Sequence, residues 1–404
     1  MRKTILILIG GHLSTAPRPL KEAMILSRAG YNITVAGCWF IPKLIARDKE
    51  ITSRSPFEFV QYADFSPHFP TSRFLIRAKR WSALRFKLFS GSYFGYAAEE
   101  MLNLSLYRKA NLTIVHSEAG LWVANELALK DYRIGIDFED WFSEQAGMQE
   151  DPNRRQCLKD LESTVLAQAS YSLAASRAMS QALRKSYCLK TPPAVAYNTF
   201  PFNHSMHVNK YLDRIDSTIP SLLWFSQTIA PGRGLELLMR CLQYIHQPME
   251  IHLRGDDLVG YAKTILEMAP SRHKANIHFH STVPMDDLQI LIREHDIGLA
   301  LDLPNCQNYD LTVTNKVFQY LSAGLRVIAT KTRGQQEVAQ YFTDRIFLLV
   351  ENNSSELASA ITTVLDSQQW KSPPGISRLE EFNETIGYQE LEKTLVAEAD
   401  KALS

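Results

Sequence analysis

Two cations, Arg233 and Lys316, stand where they could hold a phosphate. Arg233 lies in Gln227-Thr-Ile-Ala-Pro-Gly232-Arg-Gly-Leu-Glu236, between an apolar run and an amphipathic segment, with a glycine on each side. Its guanidinium is permanently charged and can donate to two phosphate oxygens at once. Lys316 falls in the first turn of a helix that Thr314 can cap and Gly324 can end, just before the apolar run Val327-Ile-Ala329. A lysine at a helix N-terminus opposes the helix dipole, so its placement there suggests an anionic ligand, although the segment by itself also reads as a capped surface helix followed by a strand. The chemistry expected of the pair is to grip a diphosphate.

A second set of polar groups follows short aliphatic runs in the first half of the chain: Gly10-Gly11-His12, His116-Ser-Glu118 and Asp137-Phe-Glu139-Asp140-Trp141. Turn glycines such as Gly11 let backbone N–H groups approach a substrate closely. The carboxylates can accept hydroxyl protons, and an aromatic face such as that of Trp141 can pack on pyranose C–H groups. Sugar recognition is the expectation for this cluster, with an acidic surface loop as the alternative.

Elements of two kinds must position these groups. Aliphatic runs alternate with amphipathic segments at Ile5–Ile9, Leu20–Arg28, Ile33–Ala36, Leu112–Val115 and Ile134–Asp137, with a further strand near Tyr171–Ala174 inside a helical region and Ala194–Tyr197 after it. This is the signature of βαβ units around a parallel sheet. The pattern lapses between about Thr199 and Ser221, where Pro201 and Pro220 mark a linker. It resumes with Leu222–Phe225, Met249–Leu253, Asn276–Phe279, Ile297–Leu301, Arg326–Ala329 and Ile346–Val350, and the chain closes with a helix over Tyr388–Leu403. The fold class expected is α/β, with two doubly wound domains whose strand ends line one crevice.

At 404 residues the chain is too long for a single ordinary core. A net charge of +1 argues against general nucleic-acid binding, so any positive field must be local. The five cysteines lack metal-type spacing and read as reduced thiols of a cytoplasmic protein. Thr4–Ile9 is too short for export or for crossing a bilayer, because Gly10-Gly11-His12 interrupts it.

Taken together, these segments resemble the GT-B glycosyltransferases, most closely the large retaining family 4 (glycosyl transferases group 1), over nearly the whole chain. The resemblance implies two Rossmann-like domains facing across a cleft, with the C-terminal helix crossing back to the first. Residues 1–200 and 383–404 would form the acceptor-side domain, 201–220 the linker and 221–382 the nucleotide-sugar domain. It implies transfer of a sugar from a nucleotide-diphosphate sugar to a hydroxyl acceptor, lipid-linked or glycan, with retention and without metal or cofactor. Arg233, Lys316, Glu139 and Asp140 would be catalytic. Gly11, Gly232, Gly255, Asn315, Gln319 and Glu337 would bind the donor, and His116, Glu118 and Trp141 would meet the acceptor. Four departures stand out: Glu139 where the family commonly has His, Gln227 or Thr228 near the first basic position of the family pattern, and Leu311 and Gln319 where it often has two glutamates. Gln319 can still bond a ribose hydroxyl, whereas Leu311 cannot replace a carboxylate, so either Asp310 or Glu337 takes over the sugar contact or the chain does without it. A non-catalytic nucleotide-sugar-binding subunit and a nucleotide-sugar epimerase of the same fold stay open as alternatives.

One stretch stands apart. No acid occurs between Asp64 and Glu99, while Arg73, Arg77, Lys79, Arg80, Arg85 and Lys87 are interleaved with Phe74, Leu75, Ile76, Trp81, Leu84, Phe86, Leu88 and Phe89. As a helix, Arg73, Arg77, Arg80 and Lys87 would share one stripe beside Phe74, Ala78, Trp81 and Leu88. Such a helix suits either the chain's own domain or an anionic membrane surface, which would place the protein peripherally on the inner face of the cell membrane.

Overall fold

The computed structural model describes residues 2–201, 215–342, 346–371 and 376–404. The chain divides into two compact units, one of Met1–Ala196 with Glu392–Ser404 and one of Tyr197–Leu391. The divisions therefore fall at 196/197 and 391/392, against the 200/201 and 382/383 expected. Most of the expected linker, 202–214, lies outside the described residues.

In the first unit the strands are β1 (Thr4–Leu8), β2 (Asn32–Trp39), β3 (Glu58–Asp64), β4 (Leu112–Val115), β5 (Ile134–Phe138), β6 (Tyr171–Ala174) and β7 (Ala194–Val195). They form one sheet in the order β3-β2-β1-β4-β5-β6-β7, and every neighbouring pair is parallel. Ile5, Leu6, Ile7 and Leu8 are all buried, as a strand covered by helices on both faces must be. The strand absent from the sequence reading is β3. It is an edge strand, with Glu58 and Gln61 exposed, so it lacks the continuous apolar run of its neighbours.

The second unit has β8 (Ser221–Thr228), β9 (Glu250–Asp256), β10 (Ile277–His280), β11 (Ile297–Ala300), β12 (Arg326–Thr330) and β13 (Phe347–Val350), again all parallel, in the order β10-β9-β8-β11-β12-β13. Its main core gathers Leu222, Trp224, Ile251 and Leu299 from one face of the sheet with Leu238 and Ile361 from the helices packed on that face. Burying each aliphatic side chain of this kind contributes roughly 1.5–3 kcal/mol before conformational entropy is charged against it.

Both sheets therefore reverse direction at one place, between β1 and β4 in the first unit and between β8 and β11 in the second. In open parallel sheets the crevice outside the carboxyl ends at that reversal is where ligands bind. Both sets of polar groups singled out in the sequence begin there.

Candidate functional site

In the second unit the helix Asn315–Ala323 is fixed by its buried Tyr320, which lies across Gly298 of β11 and donates its hydroxyl to the carbonyls of Leu223 (3.0 Å) and Leu299 (3.3 Å). Only glycine at 298 leaves room for that ring. Gly324, at φ +84°, ends the helix in the left-handed conformation expected. Thr314 takes the N-cap position but makes no side-chain cap bond, a correction to the cap expected of it. Lys316 is buried at 7% exposure, and its Nζ donates to both carboxylate oxygens of Asp302, at 2.7 and 2.8 Å. An ammonium has three N–H donors, so one remains for a ligand.

Asp302 follows β11 directly, and the loop bearing Arg233 rests on the same strand end. Gly234 is at φ +82°, and a Cβ there would run into the Leu301 carbonyl and side chain. The buried Trp224 donates from Nε1 to the Arg233 carbonyl at 3.3 Å, pinning the loop from below. The guanidinium itself is exposed and donates to Ser226 Oγ at 2.9 Å. Arg233 and Lys316 are thus anchored to the adjacent parallel strands β8 and β11, with Leu301-Asp302 linking their supports.

The other donor-side residues are arranged less simply. Gly232 does not offer its N–H to a ligand, because it donates to Glu236 Oε1 at 2.9 Å, and Glu236 also accepts from the Tyr261 hydroxyl. Gly255 lies inside β9 rather than beyond it, and a Cβ there would press on Ser226 O and Ile229 N at 3.1 and 3.2 Å, so its role is packing. Asn315 is exposed, its Oδ1 accepting from Asn198 Nδ2 at 2.8 Å. Gln319 is 2% exposed, its Nε2 sits 3.0 Å from Met285 Sδ, and its Oε1 has no hydrogen-bond partner among the described residues. Of the two candidates for the sugar, Asp310 is committed to Arg333, accepting from its backbone N–H at 3.0 Å and its Nε at 2.5 Å. Glu337 is buried on the helix Arg333–Ala339, whose Gly334 packs on the Leu311–Thr312 backbone.

In the first unit a cavity of about 250 Å³ lies over the reversal point, lined among others by Gly11, His12, Thr15, His116, Glu139 and Asp140. His12 is locked in one tautomer: Nε2 accepts from the backbone N–H groups of Phe40 (3.1 Å) and Ile41 (3.0 Å), so the proton is on Nδ1, 2.7 Å from Asp48. His116 has Glu22 at 2.7 Å from Nε2 and Glu139 at 3.2 Å from Nδ1, with Asp137 at 3.8 Å. Burial alone would lower its pKa, but the charge of Glu22 and the hydrogen bonds of Glu139 and Glu22 outweigh it and raise it to about 10. His116 is therefore a cation at neutral pH, and both ring nitrogens are donors. Arg18 completes the network, donating to Asp137 from Nε and Nη2 at 2.5 and 2.6 Å and to the Ala196 carbonyl from Nη1. Tyr171 donates its hydroxyl to Glu22.

Glu22, His116 and Asp137 bring ligand-type atoms within 4.8 Å of one another. Each is already engaged: both His116 nitrogens face carboxylates, and Asp137 takes two bonds from Arg18. Glu139, 30% exposed, joins this charged network to the cavity.

Two acceptor-side expectations are corrected. Trp141 presents no face to a sugar: it is 1% exposed, and its Nε1 donates to Glu162 at 3.1 Å. The same carboxylate takes the Ser143 N–H (2.9 Å), the Ser143 hydroxyl (2.6 Å) and the Tyr187 hydroxyl (2.5 Å), and burial pushes its pKa up to about 7. Glu118 does not line the cavity, being paired with Arg154, while burial raises its pKa against the pull of that arginine. The sequence reading passed over Glu22, Asp48 and Asp302 as site residues. Glu22 carried a signal, since it shares an inward helix face with Ala23 and Leu26, and so did Asp302, directly beyond an apolar strand.

Residues 219–367 match the family model described as glycosyl transferases group 1, a segment that contains Arg233, Asp302 and Lys316. No curated protein sequence matches the chain. Among solved structures the chain is similar to HepE of Anabaena in complex with UDP-glucose, with a TM-score of 0.66 and 14% identity over 98% of this chain and 99% of that one. It is also similar to sucrose-phosphate synthase of Thermosynechococcus elongatus, with a TM-score of 0.72 and 12% identity over 99% of each chain. A third is MnaA of S. aureus, solved with UDP, with a TM-score of 0.56 and 10% identity over 97% of this chain and 94% of that one. At such identities the likeness establishes the fold. The chain has the GT-B architecture and carries a glycosyl transferases group 1 segment in its second unit.

Proposed function

We propose that the protein transfers a sugar, with retention and without a metal, from a nucleoside-diphosphate sugar to a hydroxyl of a lipid-linked or glycan acceptor, in the synthesis of cell-surface polysaccharide, glycolipid or glycoconjugate. One observation carries this reading: Arg233 and the Asp302-held Lys316 stand on adjacent strand ends at the sheet reversal of the segment that matches the glycosyltransferase family. Arg233 leaves Ser226 to donate to the diphosphate, and Lys316 adds its third N–H. Asp302 holds the ammonium in one orientation, so no reorganisation is needed as charge builds on the leaving group. Gln319 Oε1, buried and without a partner among the described residues, suits a ribose hydroxyl. On the acceptor side, the cavity is smaller than the roughly 300 Å³ at which drug-sized ligands are usually enclosed, so it takes a part of a substrate such as one sugar ring. Glu139 then accepts from an acceptor hydroxyl, while the His116 cation fixes its carboxylate.

A second reading, a nucleotide-sugar-binding subunit without turnover, is favoured by one fact: Leu311 is fully buried and apolar. Epimerisation of the nucleotide sugar is the third. One experiment separates them. Nucleotides are first screened for a rise in Tm, starting with UDP, which HepE and MnaA hold, and the matching sugars are then incubated with candidate acceptors. Free nucleoside diphosphate with a modified acceptor supports transfer. An altered nucleotide sugar means epimerisation, and binding without any product means a subunit.

A further inference from the structure

We infer that the helix Pro70–Phe86 and the segment after it form a peripheral anchor for an anionic phospholipid surface. The inference stands independently of the transferase reading. The helix runs 17 residues, yet Ala83 is the one fully buried position in it. Ser72, Ile76 and Arg80 are half-buried toward the unit, and the opposite face carries Phe74 (71% exposed) and Trp81 (64% exposed). Leu84, Phe86, Leu88 and Phe89 extend this apolar surface and are also exposed. A groove of about 650 Å³ follows that face, and Arg73 and Arg77 line it together with Pro67, Pro70, Phe74, Ala78 and Trp81. Its spacing of 70, 74, 78 and 81 is one helical stripe.

The charge pattern identifies the occupant. The stripe expected from the sequence is corrected in two places. Arg80 turns inward, stacked 4.9 Å from the Tyr96 ring centre, and Lys87 caps the helix in a left-handed conformation at φ +50°. Lys79 approaches Glu100 at 3.7 Å. That leaves Arg73, Arg77, Arg85 and Lys87 around the exposed aromatic residues, none paired with a carboxylate among the described residues. An acidic protein partner would meet the cations but leave Phe74, Trp81 and the groove in contact with charged groups. A bilayer satisfies both, with side chains entering the acyl boundary and guanidinium groups staying at the phosphates. Aromatic rings of this kind favour that boundary. Among the described residues no helix is long and apolar enough to cross a membrane, so this contact would lie in the interface.

The test is co-sedimentation of the full chain with vesicles of phosphatidylcholine alone or mixed with phosphatidylglycerol, together with tryptophan emission, the part due to Trp81 being taken as the difference from Trp81→Phe because the chain has six tryptophans. The parent binds the anionic vesicles far more tightly, salt weakens the binding, and emission shifts to the blue. Arg77→Gln/Arg85→Gln/Lys87→Gln weakens binding by on the order of 100-fold, at about fivefold per basic residue near an anionic surface. Phe74→Ser/Trp81→Ser abolishes it, and both variants keep the parent's Tm and nucleotide binding because every altered side chain is exposed. Absence of parent binding, or equal binding to both vesicle types, overturns the inference. So does a dimer in sedimentation velocity that Trp81→Ser breaks while vesicles have no effect, since a second copy would then cover the face.

Discussion

The proton on His116 gives a prediction whose size follows from the structure. Its ring is enclosed by Glu22, Glu139 and Asp137 and holds its proton to about pH 10 in the folded state, against the ordinary value of 6.5 in the unfolded chain. Between those values the native state binds one proton more than the unfolded state, so stability falls as pH rises. The contribution is fully present below pH 6.5 and is lost as pH climbs through 10. From pH 6.5 to pH 8.5 the loss amounts to about 2 kcal/mol. Lys21, whose buried ammonium has its pKa pulled well down by desolvation, acts with the opposite sign in this range, and the buried Cys38, pushed up to about 11, adds to the decline near its upper end. Both cancel when the parent is compared with His116→Gln, which keeps a donor toward Glu22 but has no proton to lose. Calorimetric Tm values of the two proteins across this range should converge as pH rises. Parallel curves would refute the reasoning and mean that His116 is neutral in the folded protein.

Three further outcomes are expected. Lys316→Ala should cost about 2–4 kcal/mol in urea unfolding, somewhat under the usual cost of breaking a buried pair because Asp302 is 27% exposed. Lys316→Ala/Asp302→Ala should recover much of that loss; additive costs would deny the coupling. Gly234→Ala combines a positive φ with a collision against Leu301, so it should lower Tm by several degrees and weaken nucleotide binding together, as thermal shift with and without nucleotide would show. Trp141→Phe removes one donor from Glu162 and should cost about 1–3 kcal/mol without altering acceptor KM, whereas a raised KM would return Trp141 to the acceptor site.

Most strands were legible because a parallel strand buried on both faces reads as an unbroken aliphatic run, as Ile5 to Leu8 does. The edge strand β3 was not, because none of its residues is fully buried and its mixed polar and apolar sequence resembles a loop. The location of both candidate sites was legible from polar residues just past strand ends. Their pairings were not. Nothing in the sequence pairs Lys316 with Asp302, which lies fourteen residues earlier just past β11, and the helix of Lys316 brings the two together as it packs back on that strand. Trp141 reads identically as a binding face or a core residue until Glu162 is seen to take its indole proton. Lys87 dropped from the basic stripe because the helix stops one residue before it.

The most direct measurement of the central claim is calorimetric titration of the nucleoside diphosphate that stabilises the protein, and of its monophosphate, into the parent, Arg233→Gln and Lys316→Gln. Each charge-assisted bond to the terminal phosphate contributes about 1.5–3 kcal/mol, so the parent's preference for the diphosphate should fall roughly 10- to 150-fold in either variant while monophosphate affinity changes little. An unchanged preference in both folded variants would show that these two cations do not hold the diphosphate.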